Sequence, residues 1–359
     1  MSWTKKVKII SISFALLLAL FFAFILIHGA SGTSSAPFIG MNGKSLANNA
    51  PDTSVSIPDL SASTGIAAIS GSVNSPAGES GSQESNNYIT FQMDASDIHR
   101  GNLILVNTTN KYEIPDEHVF VDIAGQKTAS YRVSDNSMLL SGSVIGPLNN
   151  MMDAFNNDTK RDTVTIISAY RDYDRQYEIY NEYTYLVGQN DAGKWAALPG
   201  YSEHHTGMAV DFGIFRDDVV RTFFGTDIYE WFSLNCDQYG FILRYPENKA
   251  EITKTEYEPW HFRYVGVPHA SFIRESGLCL EEYIEFIMGF TRDEPYKGTL
   301  NGETYEVYYT QDYEIPVPVG CKIDISGNNK DGFIVTIRTQ RGLRPQPSND
   351  GRDTTQPSG

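Results

Sequence analysis

Cysteine is scarce, with three residues in a chain of 359. Cys236, Cys279 and Cys321 are far apart and form no Cys-x-x-Cys pair, which excludes a thiolate zinc cluster. Their odd number leaves at least one thiol unpaired within the chain, and the apolar helical surroundings of Cys236 and Cys279 suggest buried thiols rather than a bridge. Positive charge is also in short supply. Lys and Arg number 28 against 44 Asp and Glu, a net charge of −16 that argues against a nucleic-acid partner. The sequence has no internal repeat, no phosphate-binding glycine loop and no nucleic-acid motif, and the helical His-Glu-x-x-His signature of zinc peptidases is missing too.

One long apolar run is present. Ile9 to Ile27 is broken only by Ser11 and Ser13 and follows Lys5, Lys6 and Lys8. Nineteen residues are enough to span a bilayer, and the basic flank predicts a cytoplasmic N-terminus. A retained anchor is favoured over a cleaved signal, because the run exceeds a usual signal core and His28-Gly29-Ala30 is a poor cleavage site. On either reading the rest of the protein lies outside the membrane. With no cysteine near the run, a lipoprotein is not expected.

The chain divides by composition into 1–30 (cytoplasmic N-terminus and membrane anchor), 31–87 (tether), 88–290 (main folded domain), 291–340 (small β appendage) and 341–359 (disordered tail). The 31–87 stretch is rich in Ser, Gly, Ala, Asn and Pro and cannot bury enough surface to offset the entropy of ordering. As a coil it spans roughly 40 Å. Strands are expected at 102–107, 163–170, 207–215, 241–245 and 260–265. Leu148, Met151, Met152 and Phe155 recur at helical spacing. Tyr173, Tyr177 and Tyr180 mark a second helix, Ile228, Trp231 and Phe232 a third ending near Gly240, and Leu280 to Met288 a fourth. Beyond 290, strands are expected at 304–310, 321–325 and 333–339, with 326–332 as a polar turn. This mixture predicts an α+β fold, a small antiparallel sheet flanked by helices, with a small C-terminal β appendage.

Three short segments carry chemistry. Ser202-Glu203-His204-His205-Thr206-Gly207-Met208-Ala209-Val210-Asp211, Glu258-Pro259-Trp260-His261 and Ser168-Ala169-Tyr170-Arg171 supply two imidazoles, a carboxylate ligand, a free carboxylate and a guanidinium. A hydrolytic zinc needs three protein ligands and one open position, which His204, Asp211 and His261 would meet. Glu258 is the candidate for taking a proton from water and returning it to a leaving amine. Arg171 could stabilise charge developing on a carbonyl oxygen. Pro259 argues against a helix through Glu258 and His261, and 260–265 reads as a strand. On a regular strand those two residues would face opposite sides, so Glu258 is expected on the preceding loop, curling back towards the metal.

Taken in order, Ser-x-Tyr-Arg with Gln176 five positions on, Ser-x-His-x-x-Gly-x-Ala-x-Asp and Glu-x-Trp-His-x-Arg-Tyr-Val-Gly resemble the VanY-type zinc D-alanyl-D-alanine carboxypeptidases. The resemblance runs from about Asn102 to Glu282 and includes Tyr239-Gly240-Phe241-Ile242-Leu243-Arg244-Tyr245-Pro246. It implies one Zn2+ per chain on His204, Asp211 and His261, Glu258 as general base, Arg171 at the oxyanion, and the sheet carrying the zinc. Ser202, Gln176 and Tyr170 are candidates for substrate binding. The chain departs from the family in having Asp172 after the arginine and His205 after the first ligand. The implied function is removal of the terminal D-Ala from peptidoglycan stem peptides by a membrane-anchored enzyme facing the cell wall. Two alternatives stay open: an L,D-carboxypeptidase trimming tetrapeptide stems, and a zinc-containing wall-binding protein without turnover.

Overall fold

The computed structural model describes residues 87–113 and 119–339. The apolar run at 9–27, the tether up to residue 86 and the tail at 341–359 lie outside the described residues. Among the described residues no helix is long and apolar enough to cross a membrane.

The first seven strands are β1 (Tyr88–Gln92), β2 (Phe120–Asp122), β3 (Arg132–Val133), β4 (Leu139–Ser141), β5 (Val164–Ser168), β6 (Ala209–Arg216) and β7 (Val219–Thr222). They are followed by β8 (Phe241–Leu243), β9 (His261–Tyr264), β10 (Tyr296–Leu300), β11 (Glu303–Thr310), β12 (Glu314–Pro318), β13 (Lys322–Gly327) and β14 (Phe333–Thr339). The α-helices are α1 (Ile123–Gln126), α2 (Ile145–Thr159), α3 (Tyr173–Val187), α4 (Gln189–Ala192), α5 (Glu230–Asn235), α6 (Ala250–Thr253), α7 (His269–Ser276) and α8 (Leu280–Met288).

The sheet that matters for function has the order β3-β5-β6-β9-β8, with β7 also paired to β6. It is antiparallel apart from the short parallel β3–β5 pair. Side chains alternate across it. Val210, Phe212 and Phe262 enter a core with Leu148, Met151, Met152 and Phe155 of α2. Phe212 stacks on Phe262 with ring centres 4.7 Å apart and meets Phe232 at 5.1 Å, so aromatic packing locks β6 to β9. Each such ring contributes roughly 2–3 kcal/mol by leaving water. Asp211 and His261 are direct cross-strand partners, placed by the same alternation on the opposite face.

Strands β11, β13 and β14 form where the sequence predicts them, whereas β10 and β12 were not expected, and β10 completes a sheet of order β10-β11-β14-β13. They are not hung from the domain as an appendage. Tyr305, Val307 and Ile334 share a core with Leu103, Leu105, Val265 and the inward faces of α7 and α8. Phe333, Val335 and Ile337, pointing the other way, pack with Tyr308, Ile315 and Val317 in a further core. The sheet is therefore covered on both faces.

The strand expected at 102–107 does not form. Leu103, Ile104, Leu105 and Val106 are buried, but their backbone groups are met by side chains and a loop carbonyl and not by a strand ladder. Leu103 N–H donates to Ser326 Oγ and Leu105 N–H to the Asn328 carbonyl, while the carbonyls of Asn102 and Ile104 accept from Arg263. Of the turn expected at 326–332, Ser326 and Gly327 end β13, Asn328 and Asn329 are buried with Asn329 Nδ2 donating to the Leu105 and Lys111 carbonyls, and Lys330 and Asp331 are exposed.

Candidate metal centre

One tight turn organises the site. A 3₁₀ turn at Glu203–Thr206 is capped by Ser202, whose hydroxyl accepts from His204 N–H at 3.4 Å. It is ended by Gly207 at φ +64°, a left-handed conformation that costs other residues energy. A Cβ on Gly207 would lie 2.7 Å from Phe120 Cε1 and 2.9 Å from Ser141 N. The turn thus seats against β2 and β4 and delivers the chain into β6. Arg171 is fixed to it at both backbone groups, its N–H donating to the His204 carbonyl and its carbonyl accepting from His205 Nδ1 at 2.7 Å. His205 Nε2 accepts from Gly200 N–H, so both nitrogens of that ring bond the backbone and His205 is a positioning residue for the loop.

His204, Asp211 and His261 offer one ligand atom each, all within 4.8 Å of one another. His204 Nε2 stands 3.2 Å from Asp211 Oδ2, and His261 Nδ1 stands 3.0 Å from Asp211 Oδ1. Although buried, His204 Nε2 and Asp211 Oδ1 have no aligned hydrogen bond. Buried polar atoms that converge without bonding are costly unless a cation completes them. Two ligands about 2.1 Å from a tetrahedral ion stand about 3.4 Å apart, close to these separations, and a two-imidazole, one-carboxylate donor set suits zinc. The residues present therefore fit the metal that the sequence implied.

Glu258 lies on the loop before β9, where its carbonyl accepts from His261 N–H in a turn that brings its carboxylate Oε2 to 3.6 Å from His261 Nδ1. Burial pushes the Glu258 carboxyl up to about 7, with Asp211 adding to the rise and His261 and Arg171 opposing it. Burial would raise Asp211 too, but His204 and His261 outweigh it and hold that carboxyl well below the usual range. Burial, aided by Arg171, brings His204 down to about 4. In the metal-free chain His261 is raised to about 9, because burial, which opposes the rise, is outweighed by the carboxylates of Asp211, Glu203 and Glu258 around the ring. A metal must displace that proton to bind. Arg171 is lowered by burial and supported by Asp211 and Glu258, and its Nε has no hydrogen-bond partner among the described residues.

The candidates for substrate binding sit nearby in different states. Gln176 is the buried residue of α3; its Nε2 donates to the Ala197 carbonyl at 2.7 Å, while its Oε1 is buried without a partner. Tyr170 rests on Phe120, ring centres 4.0 Å apart. Ser202 accepts within the turn and keeps its own hydroxyl proton free to donate. The tyrosine stripe expected on α3 is displaced, with Tyr173 and Tyr177 exposed and Gln176, Tyr180 and Tyr183 on the inward side. Burial pushes the Tyr183 phenol up to about 12, with Glu258 adding to the rise and Arg171 opposing it.

Glu203 was missed. It is fully buried beside the first ligand and is bound by Arg244 and Arg263, both completely inaccessible. An acidic residue between a serine cap and a histidine carries no sequence signal by itself. Its partners, Arg244 just after β8 and Arg263 in β9, are visible only in three dimensions.

The family model for VanY, described as D-alanyl-D-alanine carboxypeptidase, matches residues 138–267. A D-alanyl-D-alanine carboxypeptidase of Enterococcus faecium is 36% identical over 252 residues, covering 67% of this chain and 76% of that protein. The bifunctional D-Ala-D-Ala dipeptidase and carboxypeptidase VanXYC of Enterococcus gallinarum is 38% identical over 128 residues, 34% of this chain and 67% of that one. Among solved structures, the vancomycin-resistance D,D-dipeptidase VanXYg in complex with a D-Ala-D-Ala phosphinate analog matches with a TM-score of 0.63 at 32% identity, covering 70% of this chain and 99% of that one.

Proposed function

The chain belongs to the VanY family of D-alanyl-D-alanine carboxypeptidases, and from that membership we propose that it removes the terminal D-Ala of peptidoglycan stem peptides in a zinc-dependent reaction. The observation that carries this reading is the buried convergence of His204, Asp211 and His261 with Glu258 folded back to 3.6 Å from His261 Nδ1. A zinc ion held by those three residues would polarise the scissile carbonyl and acidify water. Glu258, with its carboxyl poised near 7, accepts the proton of the attacking water and passes it to the departing amine. Arg171, held against the ligand turn by two backbone hydrogen bonds, offsets charge on the carbonyl oxygen as the tetrahedral centre forms. Gln176 Oε1 and the Ser202 hydroxyl remain able to accept from and donate to the peptide. The apolar run at 9–27 with its lysine flank supports an anchored enzyme whose domain faces the wall. Protease added to intact cells should then cleave the domain, and protection would refute that location.

Amino-acid release by the zinc-loaded chain tests the chemistry on stem pentapeptide, stem tetrapeptide and free D-Ala-D-Ala. D-Ala should leave the pentapeptide, and Glu258→Ala should lower kcat by about 10²–10⁴-fold with zinc content unchanged. Release from the tetrapeptide alone would move the assignment to L,D cleavage. Silence on all three with zinc bound would end the carboxypeptidase reading.

A further inference from the structure

His204 and His261 present different nitrogens to the centre. His204 Nδ1 bonds the Ala169 carbonyl at 2.6 Å, leaving Nε2 to face Asp211. His261 is turned the other way, its Nε2 3.3 Å from Glu203 Oε2 and its Nδ1 towards Asp211 and Glu258. An imidazole can offer either nitrogen, and the partner of the other nitrogen decides which.

We infer that Glu203, immobilised by two buried arginines, is the positioning residue that makes His261 an Nδ1 ligand. Its two oxygens are divided between tasks. Oε1 accepts from Arg244 Nε at 2.7 Å and from Arg263 Nη1 at 2.8 Å, while Oε2 is left for His261. Neither arginine can swing away. Arg244 grips Glu281 through Nη1 and Nη2 at 2.8 and 2.6 Å, and Arg263 Nη2 donates to the carbonyls of Asn102 and Ile104. Two guanidiniums and two carboxylates balance, so the group is neutral and can stay buried. The 3₁₀ turn therefore supplies one ligand, His204, and from the adjacent residue the group that aims another. This inference rests on the reading that the centre holds zinc. It goes beyond that reading in naming the group that orients His261.

The decisive experiment uses the full chain with ¹⁵N-labelled histidine and zinc bound. His261 should show metal on Nδ1 and a slowly exchanging Nε2 proton, and metal on Nε2 would overturn the inference. Glu203→Gln should weaken zinc binding tenfold to a hundredfold. Glu282→Gln, which loses its ion pair to Lys249 and touches neither His261 nor the two arginines, should lower the melting temperature and leave zinc affinity within about threefold. Equal loss of zinc affinity in both variants would reduce Glu203 to a structural role and also overturn the proposal. If Glu203→Gln does not fold, the wild-type spectrum still decides. Neither readout involves substrate, so a chain that binds zinc through His261 Nδ1 but hydrolyses nothing would sink the proposed reaction and spare this assignment.

Discussion

Acid should loosen the contact between the helices and the C-terminal sheet through one histidine. His269 opens α7, its Nδ1 bonded to the Tyr283 hydroxyl of α8 at 2.7 Å and its Nε2 to Thr336 Oγ1 of β14 at 2.9 Å. It is 2% exposed, and burial alone pushes its pKa down to about 3, with no charged neighbour to offset it. Because the folded value lies below the unfolded one of about 6.5, the unfolded chain binds the extra proton between those limits. The contribution is therefore complete above the unfolded pKa and is lost as pH falls through the window. At pH 5 protonation favours the unfolded chain by about 2 kcal/mol, against about 0.2 kcal/mol at pH 7. Urea denaturation of the metal-stripped wild type and of His269→Asn, at both pH values, isolates this group, since other titrations cancel in the difference. The variant should be the less stable at pH 7, having lost its buried hydrogen bonds, and its deficit should shrink by about 2 kcal/mol at pH 5. Parallel losses in the two proteins would refute the assignment.

Gly207→Ala should destabilise the chain by about 1–3 kcal/mol, combining left-handed strain with overpacking against Phe120 and the Ser141 backbone. Unchanged stability in denaturant would show that the turn adjusts. Cys236 and Cys279 are buried, with thiols pushed up by that burial to about 12 and about 11, whereas Cys321 is half-buried. A thiol reagent should accordingly label no more than one group quickly in the native protein and three after unfolding, and two or more fast equivalents in the native state would contradict the structure.

Much of the fold is legible where one face of an element meets one core. Leu148, Met151, Met152 and Phe155 locate α2, and all four are buried. Leu280 to Met288 is helical over the same residues that the pattern indicates. Periodicity failed where burial is shared. The run 102–107 has strand composition, but its backbone is satisfied by Arg263, Ser326 and Asn328. Tyr173, Tyr177 and Tyr180 announce α3 but not its inward face, because a buried amide, Gln176, points inward in place of an apolar stripe. The short strand β1 pairs β12 more than two hundred residues away, a partnership that no local pattern reveals. At the site, ordered motifs in the sequence single out His204, Asp211, His261 and Glu258, and the structure brings these four together. Glu203 was not singled out, since its significance is in what it touches.

Asp211 and His261 are opposite each other on β6 and β9, and their separation is set by the hydrogen-bond ladder between those strands. The turn between β6 and β7 and the loops around α6 can therefore vary in length without moving the two ligands, whereas Phe232 of α5, which packs on Phe212, belongs to what holds the strands together. Such an arrangement separates the part of the sequence free to diversify for new substrates from the part that must stay in register for any of them to react.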